Sequence, residues 1–324
     1  MKAVLVRQGG VLSVEDAPDP VAGPGEVVVE LRASALNRRD LLVRNPPGPA
    51  YRFPLPLIPG SDGAGVRRDT GEEVIIYPAL GWGPREDAAA PEWRILGGPD
   101  DGTYAELVKV PAENVFPKPR RFSWEEAAAF PLAALTAYRA LFQVGRLRGH
   151  ETVLVLGAGS GVSTFAVQLA VQAAARVLVT SSSEEKIERA RELGASGGVL
   201  YTDEGWPEAV RELSGGGVDV VLDSAGATWG KSLRALRRGG RLVVFGGTAG
   251  AGVELDVRYV YLNWLSILGT TMGSPTDLHG LLRMVEEGRW RPVIDSVRPL
   301  DEAEAAQERL RGADHFGKLV LTPG

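Results

Sequence analysis

The sequence predicts an α/β protein with two domains, the first rich in β-strands and the second built on a doubly wound parallel sheet. Two sequence patterns indicate this. Before Pro119, short β-patterned runs are joined by Gly- and Pro-rich turns with no helix between them. After Ser123, apolar runs of strand length alternate with helical segments, a pattern typical of right-handed βαβ units in a parallel sheet.

The first domain is predicted from four β-patterned runs. Lys2–Val6 and Val27–Ala33 are separated by the turn-rich segment Ala17–Gly25, and Val74–Tyr77 and Tyr104–Val110 follow. Strands joined by turns rather than helices predict an antiparallel or barrel-like arrangement.

The second domain begins with a helix and continues as alternating strands and helices. Ser123 and Glu126 have the spacing of a capping box, which predicts the start of an Ala-rich helix that is kinked near Pro131 and continues through Leu141. The continuous apolar run Thr152–Leu156 predicts a strand buried on both faces. The later predicted elements are the helices Gly161–Ala173 and Glu184–Leu193 and the strands Arg176–Thr180, Gly198–Leu200, Asp219–Leu222, Arg241–Phe245, Leu265–Leu268 and Lys318–Leu321.

Composition narrows the classes of function. A formal net charge of −5 argues against a broad nucleic-acid-binding surface. The N-terminal run MKAVLVRQGG has too short an apolar stretch for a signal peptide, and no apolar run approaches the roughly 20 residues that a membrane span requires. We therefore expect a soluble cytoplasmic protein that binds neither nucleic acid nor membrane.

The chain contains no cysteine. Disulfide bonds are therefore excluded, which fits a reducing compartment. Catalytic zinc needs three protein ligands, and structural zinc usually takes four sulfurs. The three histidines, His150, His279 and His315, are too far apart in sequence to suggest a chelating pair. We expect chemistry without a metal, or with a weaker carboxylate and histidine site.

A glycine-rich turn, Gly157–Ser163, follows the first buried strand and opens a helix. Glycine lets the backbone approach a pyrophosphate, and a helix N-terminus offers free N–H groups. Val162 stands where the usual dinucleotide fingerprint has glycine, and a tight turn that needs glycine only for its backbone angles is the alternative. We predict dinucleotide binding through Gly157, Gly159, Ser160, Gly161 and Val162.

The end of the second strand indicates which dinucleotide binds. NAD enzymes usually carry an acidic residue there, whereas this strand ends in a run of serines. Ser181, Ser182 and the cation of Lys186 suit the 2′-phosphate of NADP(H). The alternative is that Ser182 forms only a capping box with Glu185, and the acidic Glu184 and Glu185 oppose a phosphate.

Other turns at the carboxyl ends of strands are expected to line the same cofactor, because ligands of open parallel sheets bind there. Tyr201 follows the strand Gly198–Leu200 and is predicted to flank the adenosine phosphate, with a half-buried aromatic as the alternative. The walls for the ribose and nicotinamide are predicted to be Ser224, Ala225, Gly246 and Gly247.

Five further segments occur in a recognisable order: Ala35–Asp40, Ile58–Gly65, Gly102–Glu106, Thr136–Tyr138 and Gly317–Val320. Together they make the whole chain resemble a medium-chain dehydrogenase/reductase. The resemblance implies a GroES-like catalytic domain at residues 1–120, completed by 272–324. It also implies a Rossmann NADP-binding domain at residues 121–271.

The departures from that family concern zinc. Asn37, Ser61 and Leu132 stand where zinc members carry ligands, and Trp82–Gly97 corresponds to the structural-zinc lobe but resembles a relic held by Trp82 and Trp93. This pattern resembles the zinc-independent quinone oxidoreductase branch. The resemblance implies hydride transfer from NADPH to quinones or other conjugated carbonyls. The alternatives are a zinc-independent alcohol or aldehyde dehydrogenase and a non-catalytic NADP(H)-binding sensor or structural protein.

The resemblance also suggests site residues and an assembly. Asn37 and Asp40 are expected to face the nicotinamide, although a turn residue and a helix N-cap are the alternatives for them. Tyr51 is the best-placed tyrosine for catalysis, although a loop anchor fits it too. Thr136 and Lys318 are expected to contribute to cofactor binding. A homodimer is expected through a strand-like edge, Tyr259–Leu268, that buries Tyr261, Leu265 and Ile267.

Overall fold

The computed structural model describes all 324 residues and divides them into two compact units. The first unit contains Met1–Ala133 and Ser274–Gly324, and the second contains Ala134–Gly273. The predicted α/β class with a β-rich part and a parallel-sheet part is confirmed. The domain boundaries that the resemblance implied, near 120 and 271, stay a prediction.

The N-terminal part of the chain forms strands where buried and part-exposed side chains alternate, as along the third strand. Its elements are β1 (Lys2–Val6), β2 (Leu12–Asp16), β3 (Glu26–Ala35), α1 (Arg38–Arg44), β4 (Asp62–Arg67), β5 (Glu73–Ile76), β6 (Ala79–Leu80), β7 (Arg94–Ile95), β8 (Leu107–Pro111), β9 (Val115–Pro117), α2 (Trp124–Ala129) and α3 (Pro131–Tyr138). The capping box predicted at Ser123 and Glu126 is present at the start of α2. The helix breaks between Ala129 and Pro131, as predicted, because proline cannot donate the backbone hydrogen bond that would continue it.

The second unit consists of strands separated by helices. Its elements are β10 (Thr152–Val155), α4 (Gly161–Gln172), β11 (Arg176–Ser181), α5 (Glu184–Glu192), β12 (Gly197–Leu200), α6 (Trp206–Ser214), β13 (Val218–Asp223), α7 (Trp229–Ala235), β14 (Leu236–Val244), α8 (Val257–Leu262) and β15 (Ser266–Gly269). The sheet is parallel throughout, in the order β12-β11-β10-β13-β14-β15. Its central strands are buried on both faces, which accounts for their continuous apolar runs.

The chain then returns to the first unit with α9 (Pro275–Glu287), β16 (Ile294–Pro299), α10 (Ala303–Gly312) and β17 (Lys318–Thr322). The large sheet of this unit runs β16-β17-β3-β4-β5-β9, and β8 also pairs with β3. Only the β16–β17 pair is parallel. Strand β17 therefore brings Lys318 beside the end of β3, where Asn37 is the N-cap of α1.

One predicted strand is wrong in part. Tyr259–Leu268 is not a single strand, because its first half forms the end of α8 and only β15 extends along the sheet edge. The Asp256 carboxylate caps α8 by accepting from the N–H groups of Arg258 and Tyr259, and this cap favours a helix over an extended strand. Leu265 is buried in the core of its own unit, so it is not free to pack across an interface.

The helices of this structure are all too short or too polar to cross a lipid bilayer.

Candidate functional site

The glycine turn after β10 has the backbone that its sequence predicts. Gly157 and Gly159 have φ angles of 71° and 102°, in the region where side chains are strained. The turn is held against β11, since Thr180 accepts the Gly157 N–H through its hydroxyl at 3.2 Å and the Ala158 N–H through its carbonyl at 2.7 Å. The turn therefore keeps a fixed path directly before α4.

The first turn of α4 offers N–H groups to an anion. Ser160 caps the helix by accepting the N–H of Ser163 at 3.1 Å. The N–H groups of Gly161 and Val162 lie in the first turn, where an α-helix provides no acceptor of its own. With the positive end of the helix dipole, these two groups can bind a pyrophosphate.

The serine run at the end of β11 divides its roles. Ser181 is buried and its hydroxyl accepts the N–H of Ser183 at 3.1 Å. Ser183, rather than Ser182, caps α5 by accepting the N–H of Lys186 at 3.4 Å, so the alternative capping box of Ser182 with Glu185 is wrong. Ser182 is left exposed at the tip, and Lys186 lies half-buried on the first turn of α5.

Tyr201 lies beside this tip. Its N–H donates to the carbonyl of Ser181 at 2.9 Å, and its side chain is 46% exposed. Ser182 and Tyr201 therefore follow the paired ends of the neighbouring strands β11 and β12, and Lys186 lies in the first turn of the helix that begins after Ser183. A hydroxyl group and a cation are the kinds of group that bind a phosphate.

The turns after β13 and β14 lie at the same edge of the sheet, beside the glycine turn, because β10, β13 and β14 are neighbours. Asp223 fixes the first turn: its Oδ1 accepts the N–H groups of Ala225 and Gly226 at 2.7 and 3.0 Å. Burial raises the pKa of Asp223, while these hydrogen bonds oppose the rise. At Gly226, φ is 86° and an added Cβ would lie 2.2 Å from the Gly250 carbonyl, so this wall requires glycine.

The turn after β14 packs closely against the turn after β13. A Cβ added at Gly246 would lie 2.8 Å from the carbonyl of Ser224, which also accepts the N–H of Thr248 at 3.1 Å. The structure thus brings together, at one sheet edge, the predicted residues of the glycine turn, Ser224, Ala225, Gly246 and Gly247. Thr136 lies in α3 and is buried.

In the first unit, Asn37 is held by a buried ion pair. Its Nδ2 donates to Asp62 Oδ2 at 2.9 Å, and its Oδ1 accepts from Lys318 Nζ at 2.7 Å. Lys318 Nζ lies 3.1 Å from Asp62 Oδ2 and also donates to the Leu36 carbonyl at 2.7 Å. All three ammonium protons of Lys318 are used within the protein, which leaves none for a cofactor.

Asp62 also anchors a helix. Its Oδ1 accepts the N–H of Leu132 at 2.8 Å, in the first turn of α3. Burial raises the pKa of the Asp62 carboxyl, and Lys318 and the hydrogen bond from Asn37 oppose that rise. Asp62 and Lys318 are both enclosed, with 0% and 2% of their surface exposed, so the pair is shielded from water.

Asp40 holds the backbone of Asn37 through a hydrogen bond. It is fully buried, and its Oδ2 accepts the Asn37 N–H at 2.8 Å and the Tyr104 hydroxyl at 2.9 Å. Burial raises the pKa of Asp40, and the neighbouring Arg39 opposes the rise. Asp40 is the third residue of α1 rather than its N-cap, a position that Asn37 takes.

Arg39 was not among the predicted site residues. Its NH1 donates to the Ser61 hydroxyl at 2.7 Å and to the Leu96 carbonyl at 2.8 Å, and its NH2 donates to the Gly98 carbonyl at 3.3 Å. Desolvation lowers the pKa of Arg39, and Asp40, Tyr51 and Asp62 counter this electrostatically. Its position two residues after Asn37 is the sequence signal that could have identified Arg39 as a site residue.

Tyr51 ends a short 3-10 turn, Pro49–Tyr51, and is partly exposed. Its electrostatic effect on Arg39 places the two side chains in the same part of the unit. The lobe Trp82–Gly97 is held together by Trp82 and Trp93, whose rings meet edge-to-face with centroids 5.7 Å apart. This agrees with the aromatic pair that the sequence predicts.

Residues 23–120 match the alcohol dehydrogenase GroES-like domain family, and residues 161–287 match the zinc-binding dehydrogenase family. A zinc-type alcohol dehydrogenase-like protein of Schizosaccharomyces pombe is 34% identical over 92% of this chain and 91% of its own length. Quinone oxidoreductase of Mus musculus is 30% identical over 99% and 97%.

The chain belongs to the medium-chain dehydrogenase/reductase superfamily.

A solved structure of an NAD-dependent alcohol dehydrogenase has a TM-score of 0.92, with 41% identity and complete coverage of both chains. Membership of the superfamily makes the protein an oxidoreductase and implies a nicotinamide cofactor. The positive-φ glycines and the first-turn N–H groups of α4 fit the pyrophosphate of such a cofactor.

Zinc, which many medium-chain dehydrogenases carry, does not fit the side chains present. No group of three or more His, Cys, Asp or Glu side chains is arranged to hold a metal ion. At the positions of the zinc ligands, Leu132 has no donor atom, and the Ser61 hydroxyl is bound to Arg39 and to the Leu96 carbonyl. The third position, Asn37, is bound to the Lys318 ammonium.

Proposed function

We propose that this protein is a zinc-free oxidoreductase that transfers hydride from NADPH to quinones or related α,β-unsaturated carbonyl compounds. One observation carries the proposal: the oxygen of Asn37, at a position where zinc members carry a ligand, and the carboxylate of Asp62 both accept from the buried ammonium of Lys318. The similarity to mouse quinone oxidoreductase supports the substrate class.

Zinc and the Lys318 ammonium would compete for the same oxygen atoms, which supports a reaction without zinc. Zinc binds deprotonated ligands with available lone pairs. The oxygen lone pairs of Asn37 and Asp62 already accept from Lys318, whose Nζ lies 2.7 and 3.1 Å away. A dication at this position would have to displace a buried ammonium, and the protein offers no thiolate to compensate.

Without a metal, conjugated acceptors are the substrates of choice. A simple ketone needs strong polarisation of its oxygen, which zinc supplies as a Lewis acid. In a quinone or enone, negative charge spreads away from the carbon that receives hydride, so positioning and hydrogen-bond donors suffice. The nicotinamide cofactor, when bound, supplies the hydride.

The network around Asn37 gives its amide one orientation. Lys318 is only a donor, so the Asn37 oxygen must face it, and the ionised Asp62 is only an acceptor, so the Asn37 nitrogen must face that. The second hydrogen on Nδ2 is then left for a substrate oxygen. Asp40 holds the backbone of the same residue in place.

The tip of β11 supports a preference for NADP(H). Ser182 and Lys186 can bind a 2′-phosphate, and no acidic residue ends the strand to bind the ribose hydroxyls of NAD. Ser181 supports the tip from inside by fixing the Ser183 N–H. Tyr201 follows the neighbouring strand β12, and its proposed role is to flank this phosphate.

The decisive experiment follows the absorbance of NADPH during incubation with quinones, enones, aldehydes and ketones, before and after a metal chelator. We expect quinones or enones to be reduced and the chelator to have no effect. Asn37→Ala should lower turnover by about 10²-fold, as does removal of an oxyanion donor. Asn45→Ala, at the exposed other end of α1, is the matched control and should retain the parental rate.

Two other results would select the alternatives. Alcohol oxidation that survives chelation would indicate a zinc-independent alcohol or aldehyde dehydrogenase, and alcohol oxidation that is lost on chelation would contradict the metal-free chemistry; the solved structure with 41% identity is named an NAD-dependent alcohol dehydrogenase. Tight NADPH binding without turnover on any acceptor would indicate a sensor or structural protein.

A further inference from the structure

Arg39 is an arginine with no carboxylate partner. Some arginines of this chain pair with acids, for example Arg7 with Glu15 and Arg309 with Asp295, whereas others, such as Arg176 and Arg211, donate to backbone carbonyls. No carboxylate oxygen lies within 4 Å of the Arg39 guanidinium, whose bonds go to a hydroxyl and two backbone carbonyls. The charge of this partly buried side chain is therefore not neutralised by direct contact.

One edge of this guanidinium remains available. NH1 uses both of its hydrogens, on the Ser61 hydroxyl and the Leu96 carbonyl. NH2 makes one long bond to the Gly98 carbonyl, at 3.3 Å, and Nε makes no hydrogen bond. The Nε atom is not enclosed by the protein, so it retains contact with solvent.

In other arginines of this protein, the Nε and NH2 atoms bind carboxylates. In Arg309, Nε and NH2 donate side by side to the two oxygens of Asp295 at 2.7 and 3.0 Å. Arg67 holds Asp69 in the same way, at 3.0 and 2.7 Å. The Nε and NH2 hydrogens of Arg39 have this fork geometry and no anion of the protein to receive it.

The open edge of Arg39 belongs to a residue that contacts one of the positions where zinc members carry a ligand. Its NH1 contacts Ser61, one of the three residues that replace zinc ligands, and Arg39 itself follows Asn37 by two residues on α1. Three carbonyl and hydroxyl oxygens fix the plane of the guanidinium, so little freedom is lost when an anion binds. Arg39 is thus a fixed positive charge beside the place where zinc members of the superfamily keep their metal.

We propose that Arg39 binds the substrate oxygen on which negative charge develops during reduction, and so supplies the positive charge that zinc supplies in the metal-dependent members. The proposal rests on the proposed reductase function and extends it by one residue and one substrate feature. A substrate should carry a carbonyl oxygen that becomes an enolate or phenolate oxygen.

The step balances without any other reactant. The substrate carbon accepts hydride from C4 of the dihydronicotinamide, as one C–H bond breaks and another forms. The π-electron pair moves onto the carbonyl oxygen, which accepts from Arg39, and NADPH becomes NADP⁺. A proton from water then neutralises the enolate or phenolate, and Arg39 keeps its own protons throughout.

A phenol whose ionisation is visible tests this without turnover. 4-Nitrophenol is titrated by absorbance in the presence of NADP⁺ and the parental protein, Arg39→Gln, Arg39→Lys or Ser61→Ala. We expect the parental protein to favour the phenolate, so that bound nitrophenol ionises at lower pH than the free compound. Arg39→Gln should abolish this shift, and Arg39→Lys should keep part of it. 4-Nitroanisole, which cannot ionise, controls for ring binding.

Ser61→Ala separates the charge from the clamp. It removes one bond that holds Arg39 but keeps the cation, so it should retain the phenolate shift. In turnover, Arg39→Gln should lower kcat/KM for quinones by about 10²-fold and leave NADPH affinity unchanged. The rate should also depend more steeply on quinone electron demand in Arg39→Gln. Arg85→Gln, which removes an exposed, acid-paired arginine, is the matched control.

Three outcomes would overturn the inference: no phenolate preference in the parental protein, an unchanged preference in Arg39→Gln, or an equal loss in Ser61→Ala. The last would mean that Arg39 only ties Leu96 and Gly98 to the sheet. Failure of the proposed function is a different result, because it appears as the absence of NADPH oxidation while the nitrophenol titration still reports on Arg39.

Discussion

Replacing Lys318 by methionine removes the only cation in direct contact with the fully buried Asp62. Methionine has a similar length, so the change removes charge and hydrogen bonds with little change in volume. Asp62 keeps the N–H donors of Leu132 and Asn37, at 2.8 and 2.9 Å. The Leu36 carbonyl and the Asn37 oxygen each lose a donor at 2.7 Å.

The expected loss of unfolding free energy is about 3–5 kcal/mol, the cost of leaving one partner of a buried pair without its counter-charge. The neutral double variant Asp62→Asn/Lys318→Met should recover at least half of that loss. In it both charges of the Asp62–Lys318 pair are removed, and the new amide can still accept from Leu132 and can donate to Asn37 once the Asn37 amide rotates.

The loss should also depend on pH. Burial raises the pKa of Asp62, and Lys318 opposes that rise, so removing Lys318 raises the folded-state pKa further above the unfolded value of about 3.9. A group with a raised folded pKa contributes stability that is present below the unfolded pKa and lost as pH rises through the folded one. Lys318→Met should therefore be less impaired at pH 5 than at pH 8.

Urea unfolding at both pH values, followed by tryptophan fluorescence and circular dichroism, measures these differences. The reasoning would be refuted by a Lys318→Met loss below about 1 kcal/mol, or by a double variant as unstable as the single one. An equal loss at pH 5 and pH 8 would show that Asp62 does not titrate between them. Lys109→Met, which removes an exposed ion pair with Glu26, controls for loss of a surface lysine and should cost no more than about 1 kcal/mol.

Three further predictions concern cofactor, metal and assembly. NADPH should bind more tightly than NADH by about 1.5–3 kcal/mol per charged hydrogen bond, and Lys186→Ala should shrink that margin while Lys231→Ala does not; equal affinities in the parental protein would reduce the serine run to a helix cap. Elemental analysis should find substoichiometric zinc, and one tightly bound zinc per chain would contradict the proposed chemistry. Light scattering should find a homodimer that pairs at the β15 edge, and Tyr261→Glu with Trp264→Glu, both exposed beside that edge, should yield monomers, whereas a parental monomer would reject the interface.

Local signals in the sequence predicted the elements well. The apolar run at Thr152 predicted a strand buried on both faces, and the strand extends from Thr152 to Val155. Ser123 and Glu126 predicted a helix start that is present, because a capping box depends only on residues three positions apart. The segment around Tyr259 was predicted wrongly, since its apolar composition suits a helix and a strand alike and a cap at Asp256 decided between them.

The sequence by itself therefore determined the α/β class and the glycine turn, because each depends on residue types at short spacing, while the positions of the missing zinc ligands came from the family resemblance. Only the tertiary structure brought Lys318 to Asp62, which are 256 residues apart, and placed the Arg39 guanidinium against Ser61. Such contacts depend on which strands become neighbours, here β17 beside β3 and β3 beside β4. Strand order is fixed by burial summed over the whole chain, so no local pattern contains it.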